Sequence, residues 1–283
     1  MAEINWYPGH MAKTKRLILE KLSLIDVIFE VVDARMPYSS KIKDLDKYTR
    51  NKPKLMIMTK YDLCDKSITD KWVEYYRQKG YVVLPMDISK KVNKNVILEK
   101  TNNLMSEANL KREKKGLKPK KTRVLIVGIP NVGKSTLINR LVSKNVTKTG
   151  NKPGVTKGLE WIRINNDYEL LDSPGILWPK IETEEEALNL ASLTAIKEEV
   201  LPISDVAIYI LNTLAKYYPN RLQERYSIDA SSDVIEMLDK IGEKRGCLVK
   251  GGVVDYEKVY NILINDLKSG NIKNITFDRL ANE

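Results

Sequence analysis

The stretch GIPNVGKST, residues 128–136, decides how the rest of this chain is read. Gly128, four intervening residues and Gly133-Lys134-Ser135 form the complete spacing of a phosphate-binding loop. It follows an apolar, β-branched run (TRVLIV, 122–127) and precedes an amphipathic stretch (STLINRLV, 135–142), which supplies the strand and helix that such a loop needs. Glycines allow backbone amides to surround a phosphate. Lys134 can reach β- and γ-oxygens, the Ser135 hydroxyl can ligate Mg²⁺, and the start of the following helix offers its positive end.

Working outward, LIDVIFEVVDAR (24–35), KLMIMTKYD (54–62) and YVVLPMDIS (81–89) each begin as buried strands and end in polar residues. A helical stretch, SITDKWVEYYRQKG (67–80), separates two of them and closes on Gly80. Strands alternating with helices predict a mostly parallel sheet covered on both faces, with ligand loops beyond the carboxyl ends of the strands. Asp33, Asp62 and Ser89 fall just past such ends. LEWIRI and YELLD read as a hairpin joined at NND. Beyond about residue 180 the apolar positions take helical spacing. Ser204 is a candidate cap for one helix and Asp233 with Glu236 resembles a capping box for another. A third helix starts at Asp255, and Gly246 and Gly270 serve as helix ends.

The expected architecture is therefore α/β: a phosphate-loop domain at 1–178, then a small α-helical domain at 179–283. A hydrophobic fraction of 42% supports globular cores rather than a disordered chain. A net charge of +11 favours a polyanionic partner, or simply a basic enzyme. Seven basic residues (Lys111, Arg112, Lys114, Lys115, Lys118, Lys120, Lys121) against one acid, Glu113, mark either a solvated joint or a phosphate-contacting patch. No apolar run is long enough to span a bilayer, and the first residues carry no signal-peptide pattern. Cys64 and Cys247 stand in unrelated contexts, which suits a reducing, cytoplasmic setting.

The nucleotide chemistry extends beyond the first loop. In LLDSPG (170–175), Asp172 is placed to hold Mg²⁺ through water and Gly175 to offer its amide to a γ-phosphate. Thr156, in PGVT (153–156), can close over the metal. In TKYD (Thr59, Lys60, Tyr61, Asp62) the Asp62 carboxylate can accept from N1–H and N2–H₂ of guanine, a donor pair that adenine lacks. Lys60 can lay its stem over the base. Asp87, Ile88 and Ser89 form a second base loop, and Asn131, Val132 and Thr136 complete the phosphate loop. The loops run in the order base, base, phosphate, switch, metal, so the base-reading half precedes the phosphate half. That order describes a circularly permuted GTPase, and permutation preserves a site when the original ends lie close together.

With these loops, WYPGHMAK at the start, DARMPYSS (33–40) and the closing stretch EKRGCLVKGGVVDYEKVYNILINDLKSG, nearly the whole chain resembles the YlqF/RbgA-type ribosome biogenesis GTPases of the permuted YawG/YlqF class. The resemblance implies GTP hydrolysis tied to late assembly of the large ribosomal subunit and a C-terminal helical domain that binds rRNA. Thr59 departs from the asparagine usual in the family. The residue after Gly175 is Ile176, which cannot orient water as the glutamine of Ras-type proteins does. In similar proteins the histidine of the YPGHMAK stretch, here His10, is the proposed catalytic residue. Its other reading is a surface or partner-contacting histidine. Similar GTPases hold K⁺ through an asparagine at the position of Asn131; a loop-capping role is the other reading.

Mg²⁺, possible K⁺, GTP and GDP, the large subunit with its rRNA, and a monomeric chain complete the expectation. Two other functions fit the residues: a nucleotide-gated RNA-binding switch with negligible catalysis, and an ATP-dependent phosphate-loop protein, such as a small kinase, in which TKYD is accidental.

Overall fold

The computed structural model describes residues 9–43, 45–49, 52–90, 92–142, 159–175, 181–196 and 200–280, with the side chains of residues 9–12 and of Thr14 outside the description. Among the described residues, six strands form one sheet in the order β3-β2-β1-β4-β6-β5. They are β1 (Val27–Asp33), β2 (Lys54–Thr59), β3 (Val82–Pro85), β4 (Thr122–Val127), β5 (Glu160–Arg163) and β6 (Tyr168–Asp172). All neighbours pair in parallel except β5 and β6, the expected hairpin. Its turn is fixed by Asn165, whose Oδ1 accepts from the Asp167 and Tyr168 amides at 2.8 and 2.9 Å. Strand β1 is buried at every residue because it lies mid-sheet with helices on both sides, which is why VIFEVVD reads as a nearly unbroken apolar run.

The sheet helices are α1 (Gly9–Lys21), α2 (Leu45–Thr49), α3 (Lys66–Gln78), α4 (Lys94–Glu113) and α5 (Lys134–Val142). Ile18 of α1, Ile97 and Met105 of α4, and Leu137, Ile138 and Leu141 of α5 pack with Phe29, Val31 and Ile126. On a separate core, Trp72, Val73 and Tyr76 of α3 cover Val32, Met56 and Met58. Helix α3 starts at Lys66, one residue earlier than its sequence suggests, because Asp65 accepts from the Ser67 amide at 3.0 Å and caps it. Gly80, at φ +83°, follows the helix end as expected.

Among the described residues, five further helices lie in the C-terminal part: α6 (Glu184–Ser192), α7 (Ile203–Tyr217), α8 (Pro219–Tyr226), α9 (Val234–Arg245) and α10 (Tyr256–Ser269). Their core joins Val206, Ile210 and Leu214 of α7 to Leu238 and Ile241 of α9 and to Val259, Leu263 and Leu267 of α10. Asp233 and Asp255 cap α9 and α10 by accepting from Glu236 and Lys258 amides at 2.9 and 3.2 Å. Gly246 and Gly270 end these helices in the left-handed conformation that glycine adopts without steric cost.

Two local expectations are corrected. Pro202, not Ser204, precedes α7, and Ser204 turns its hydroxyl to Asp205. The Glu236 side chain pairs with Lys240 at 2.5 Å instead of closing a reciprocal capping box.

The helical layer is joined to the sheet layer by the end of the chain. Past α10 the backbone returns: the Phe277 amide donates to the Arg35 carbonyl at 2.8 Å and Trp72 Nε1 donates to the Asp278 carbonyl at 3.2 Å. The Asp278 carboxylate accepts from the amides of Tyr38 and Ser39 (2.7 and 2.9 Å), from Ser39 Oγ (2.5 Å) and from Asn189 Nδ2 (3.1 Å). Among the described residues no helix is long and apolar enough to cross a membrane.

Candidate nucleotide-binding site

The carboxyl ends of β1, β2, β4 and β6 open on one edge of the sheet, since Asp33 pairs in register with Thr59 and Ile126 with Asp172. The loops expected to bind nucleotide therefore meet there, although the sequence scatters them from residue 59 to residue 175.

The phosphate loop leaves β4 at Gly128 and enters α5 at Lys134. Its glycines are required by close approach. A Cβ on Gly128 would lie 2.5 Å from the Val31 carbonyl oxygen, and one on Gly133 would lie 2.7 Å from Ile88 Cδ1, with φ already at +98°. Lys134 is buried and donates to the Gly128 and Ile129 carbonyls at 2.9 and 3.2 Å. Burial lowers its ammonium to about 8 against the pull of Asp172. A cation held on loop carbonyls in an apolar setting is one that a phosphate oxygen can claim. Ser135 and Thr136 lie in the first turn of α5, and Val132 is buried.

The TKYD stretch closes on this loop from β2. The Thr59 hydroxyl donates toward the Val132 carbonyl at 2.5 Å and lies 3.0 Å from the Val32 carbonyl. It ties the base loop to the phosphate loop, so a hydroxyl accomplishes that tie without the amide of an asparagine. Lys60, at φ +57°, places Nζ 2.8 Å from the Asn131 carbonyl and 2.8 Å from Asp33 Oδ2. Burial raises the Asp33 carboxyl, but the Arg35 guanidinium and the Lys60 ammonium outweigh it and hold the group well below the usual carboxylate range. The Tyr61 amide donates to the Met86 carbonyl at 3.4 Å and its hydroxyl to Asp70 at 2.6 Å.

Asp62 and Asp87 face each other closely enough to share a hydrogen bond. Burial and then Asp87 raise the Asp62 carboxyl, while hydrogen bonds from Ser89 outweigh burial and lower Asp87. The Ser89 amide and hydroxyl donate to Asp87 Oδ1 at 2.8 and 2.5 Å, and Arg140 Nη2 of α5 donates to the Ser89 carbonyl at 2.8 Å. Ile88 is buried against Gly133. The second base loop is thus joined to both the first base loop and the phosphate loop.

Asp172 ends β6 buried, and Gly175 packs so tightly on the phosphate loop that a Cβ would lie 3.0 Å from Pro130. The donors here, one carboxylate and the Ser135 hydroxyl, are hard oxygens. No group of three or more His, Cys, Asp or Glu able to hold a metal occurs among the described residues. Such a set suits Mg²⁺, which keeps waters and takes phosphate oxygens, better than it suits a metal needing a full protein cage. Thr156 and Ile176 lie outside the described residues, as does the side chain of His10, whose backbone belongs to α1.

Two partners of the site, Thr194 and Arg35, escape sequence reasoning. Asn131, at φ +63°, donates through Nδ2 to the Thr194 carbonyl at 2.6 Å and to its hydroxyl at 2.8 Å, beyond the end of α6. Arg35, fully buried, binds Asp33 through Nε and Nη2 at 3.0 and 2.9 Å and donates through Nη1 to the Leu267 carbonyl of α10 at 2.7 Å. The signal for Arg35 was present in DAR, an arginine two residues from an acid at a strand end. No pattern announced Thr194.

Residues 123–248 match the family described as 50S ribosome-binding GTPase. The chain is 44% identical to ribosome biogenesis GTPase A of Bacillus cereus, with 97% of this chain and 93% of that protein aligned. It is 32% identical to the Thermotoga maritima protein of that name, over 98% and 94% of the two chains. A solved GDP-bound structure of TM YlqF superposes with a TM-score of 0.66 at 26% identity, covering 95% of this chain and all of that one. The GNP-bound form of YlqF from T. maritima gives 0.65 at 27% identity, over 94% and 98% of the two chains.

Proposed function

The chain belongs to the ribosome biogenesis GTPase A family and is a GTPase, and from that premise we propose that it acts in late assembly of the large ribosomal subunit, with its nucleotide state coupled to rRNA through the C-terminal helical domain (179–283). The observation that carries the reading is that Lys60 and Ile88 both meet the phosphate loop, at the Asn131 carbonyl and at Gly133, with Asp62 beside Asp87 between the two base loops. That arrangement supports guanine as the base and a triphosphate as the chain beside it.

In this reading the amides of 131–136 and the Lys134 ammonium hold the β- and γ-phosphates. Ser135, Thr156 and Asp172 would hold Mg²⁺, which would supply positive charge beside the phosphates. Asp62 selects guanine, Thr59 and Lys60 fix its loop, Tyr61 lies between them, and Ile88 and Ser89 close the second base loop. The Gly175 amide reads the γ-phosphate. Asn131 would hold K⁺ through Oδ1, the amide atom chemically able to ligate a cation. His10 orients the attacking water or moves its proton, since Ile176 has no polar atom for that task.

The test is the GTP hydrolysis rate of wild type and His10→Ala with and without purified large subunits. Subunits should raise wild-type turnover by at least about an order of magnitude. His10→Ala should lose most of that gain with little change in GTP affinity. A wild-type rate indifferent to subunits overturns the coupling. Full stimulation of His10→Ala removes the histidine from the chemistry.

A further inference from the structure

Both flanks of Asp62 are held by the far end of the chain. On one side, Lys60 binds Asp33, Asp33 binds Arg35, and Arg35 reaches the Leu267 carbonyl at the end of α10. On the other side, the Leu63 carbonyl accepts from the Ile275 amide at 3.3 Å, and the Asp65 amide donates to Thr276 Oγ1 at 3.1 Å. Thr276 Oγ1 also lies 2.8 Å from the Thr69 hydroxyl. Gly270, which ends α10 at φ +77°, sits against the same loop: a Cβ there would lie 2.9 Å from Leu63 Cδ2. Lys60 itself has a left-handed backbone at φ +57°, a conformation unfavourable for a non-glycine residue, which persists when surrounding contacts over-determine it.

We propose that Leu267, Gly270, Ile275 and Thr276 position the guanine-reading loop, so that discrimination at Asp62 depends on how the last helix and the chain end are docked. The inference rests on the reading of TKYD as the base loop. It makes the C-terminal helices part of nucleotide recognition rather than a separate module joined by a linker. None of these residues touches the base. They act through Lys60 and Leu63, by fixing where the Asp62 carboxylate stands relative to the N1 and N2 donors of guanine. A binding partner that shifts α10 would loosen the base pocket, and a bound guanine nucleotide would tighten the docking of α10 by the same factor.

The full chain is tested with GTP, GDP and inosine triphosphate, which lacks the N2 amine. Gly270→Ala forces a Cβ toward Leu63 at a strained φ, and Thr276→Val removes only the hydroxyl in nearly the same shape. Both should weaken GTP and GDP by roughly five- to tenfold, through the buried hydrogen bond that Thr276→Val removes and the backbone strain and crowding that Gly270→Ala adds. Inosine triphosphate should weaken less, so preference for GTP over it shrinks, while turnover at saturating GTP stays near wild type. Ile241→Val, in the core of α9, lowers thermal stability but should leave that preference intact. Asp62→Asn should shift preference to xanthosine triphosphate, because an amide donates where the carboxylate accepts. If Asp62→Asn has no such effect, the base-loop reading itself fails. If it responds while Gly270→Ala and Thr276→Val keep wild-type preference, or if Ile241→Val erodes it as much, the positioning role is overturned.

Discussion

Lys134 carries a charge where the fold least favours one. Its ammonium is buried on two loop carbonyls, and burial brings it to about 8 from an unfolded value near 10.5. Between those values the unfolded chain binds the proton and the folded chain releases it, so the stability of the nucleotide-free protein rises with pH across that window. A triphosphate reverses the balance by favouring the charged form. Nucleotide binding should then take up most of one proton at about pH 8.5 and almost none at about pH 7, with affinity falling as pH rises above 8. Calorimetry of GDP binding in buffers of different ionisation enthalpy reads this directly. Equal proton uptake at both pH values would mean that Lys134 keeps its charge without nucleotide. The residue was legible in the sequence because the phosphate-loop spacing names it. Its depressed basicity was not, since that depends on the fold burying the ammonium on the Gly128 and Ile129 carbonyls.

At the scale of elements, the loop between β4 and α5 is tied to the segment after α6 by the Asn131 amide and Thr194, itself in a left-handed conformation at φ +53°. Sequence reasoning assigned Asn131 to K⁺ or to capping the loop. The contact with Thr194 adds a role in fixing the amide's orientation, because two bonds from Nδ2 aim Oδ1. Hydrolysis should be faster in KCl than in NaCl, and Asn131→Ala should abolish the difference. Thr194→Ala, which removes one of the two bonds, should reduce it partway. Equal wild-type rates in the two salts would end the K⁺ assignment. Helices α6 and α8 also passed unnoticed in the sequence. Thr183 caps α6 by accepting from the Glu186 amide at 3.1 Å and Pro219 opens α8, both ordinary start signals. Their helices are short, nine and eight residues.

For the whole molecule, the excess of +11 favours a polyanionic partner. Part of the basic run is already used: Lys120 pairs with Asp26 at 2.5 Å and Lys121 with Glu169 at 2.8 Å. Lys114, Lys115 and Lys118 remain exposed just past α4. Pelleting with purified large subunits should therefore be stronger with a non-hydrolysable GTP analogue than with GDP. It should weaken about tenfold or more between low and moderate salt, in proportion to the phosphates neutralised. Identical binding in both nucleotide states would remove the switch, and salt-insensitive binding would remove the phosphate contacts. Neutralising Lys114, Lys115 and Lys118 together should flatten the salt dependence without altering nucleotide affinity.

The sequence alone determined the α/β class, the parallel strands, the permuted loop order, the hairpin and the caps at Asp233 and Asp255. Each of these is written in a short window, as a period, a turn residue or a fixed spacing, so local sterics and hydrogen bonding suffice to read it. What the tertiary structure decided is everything that joins distant windows: Thr59 on Val132, Asp62 beside Asp87, Arg35 on Leu267, Thr276 on Asp65, Asn131 on Thr194. Such bonds pair ordinary polar residues with backbone or with one another. Their value arises only when packing brings them together and removes water, and no spacing in the chain records that event.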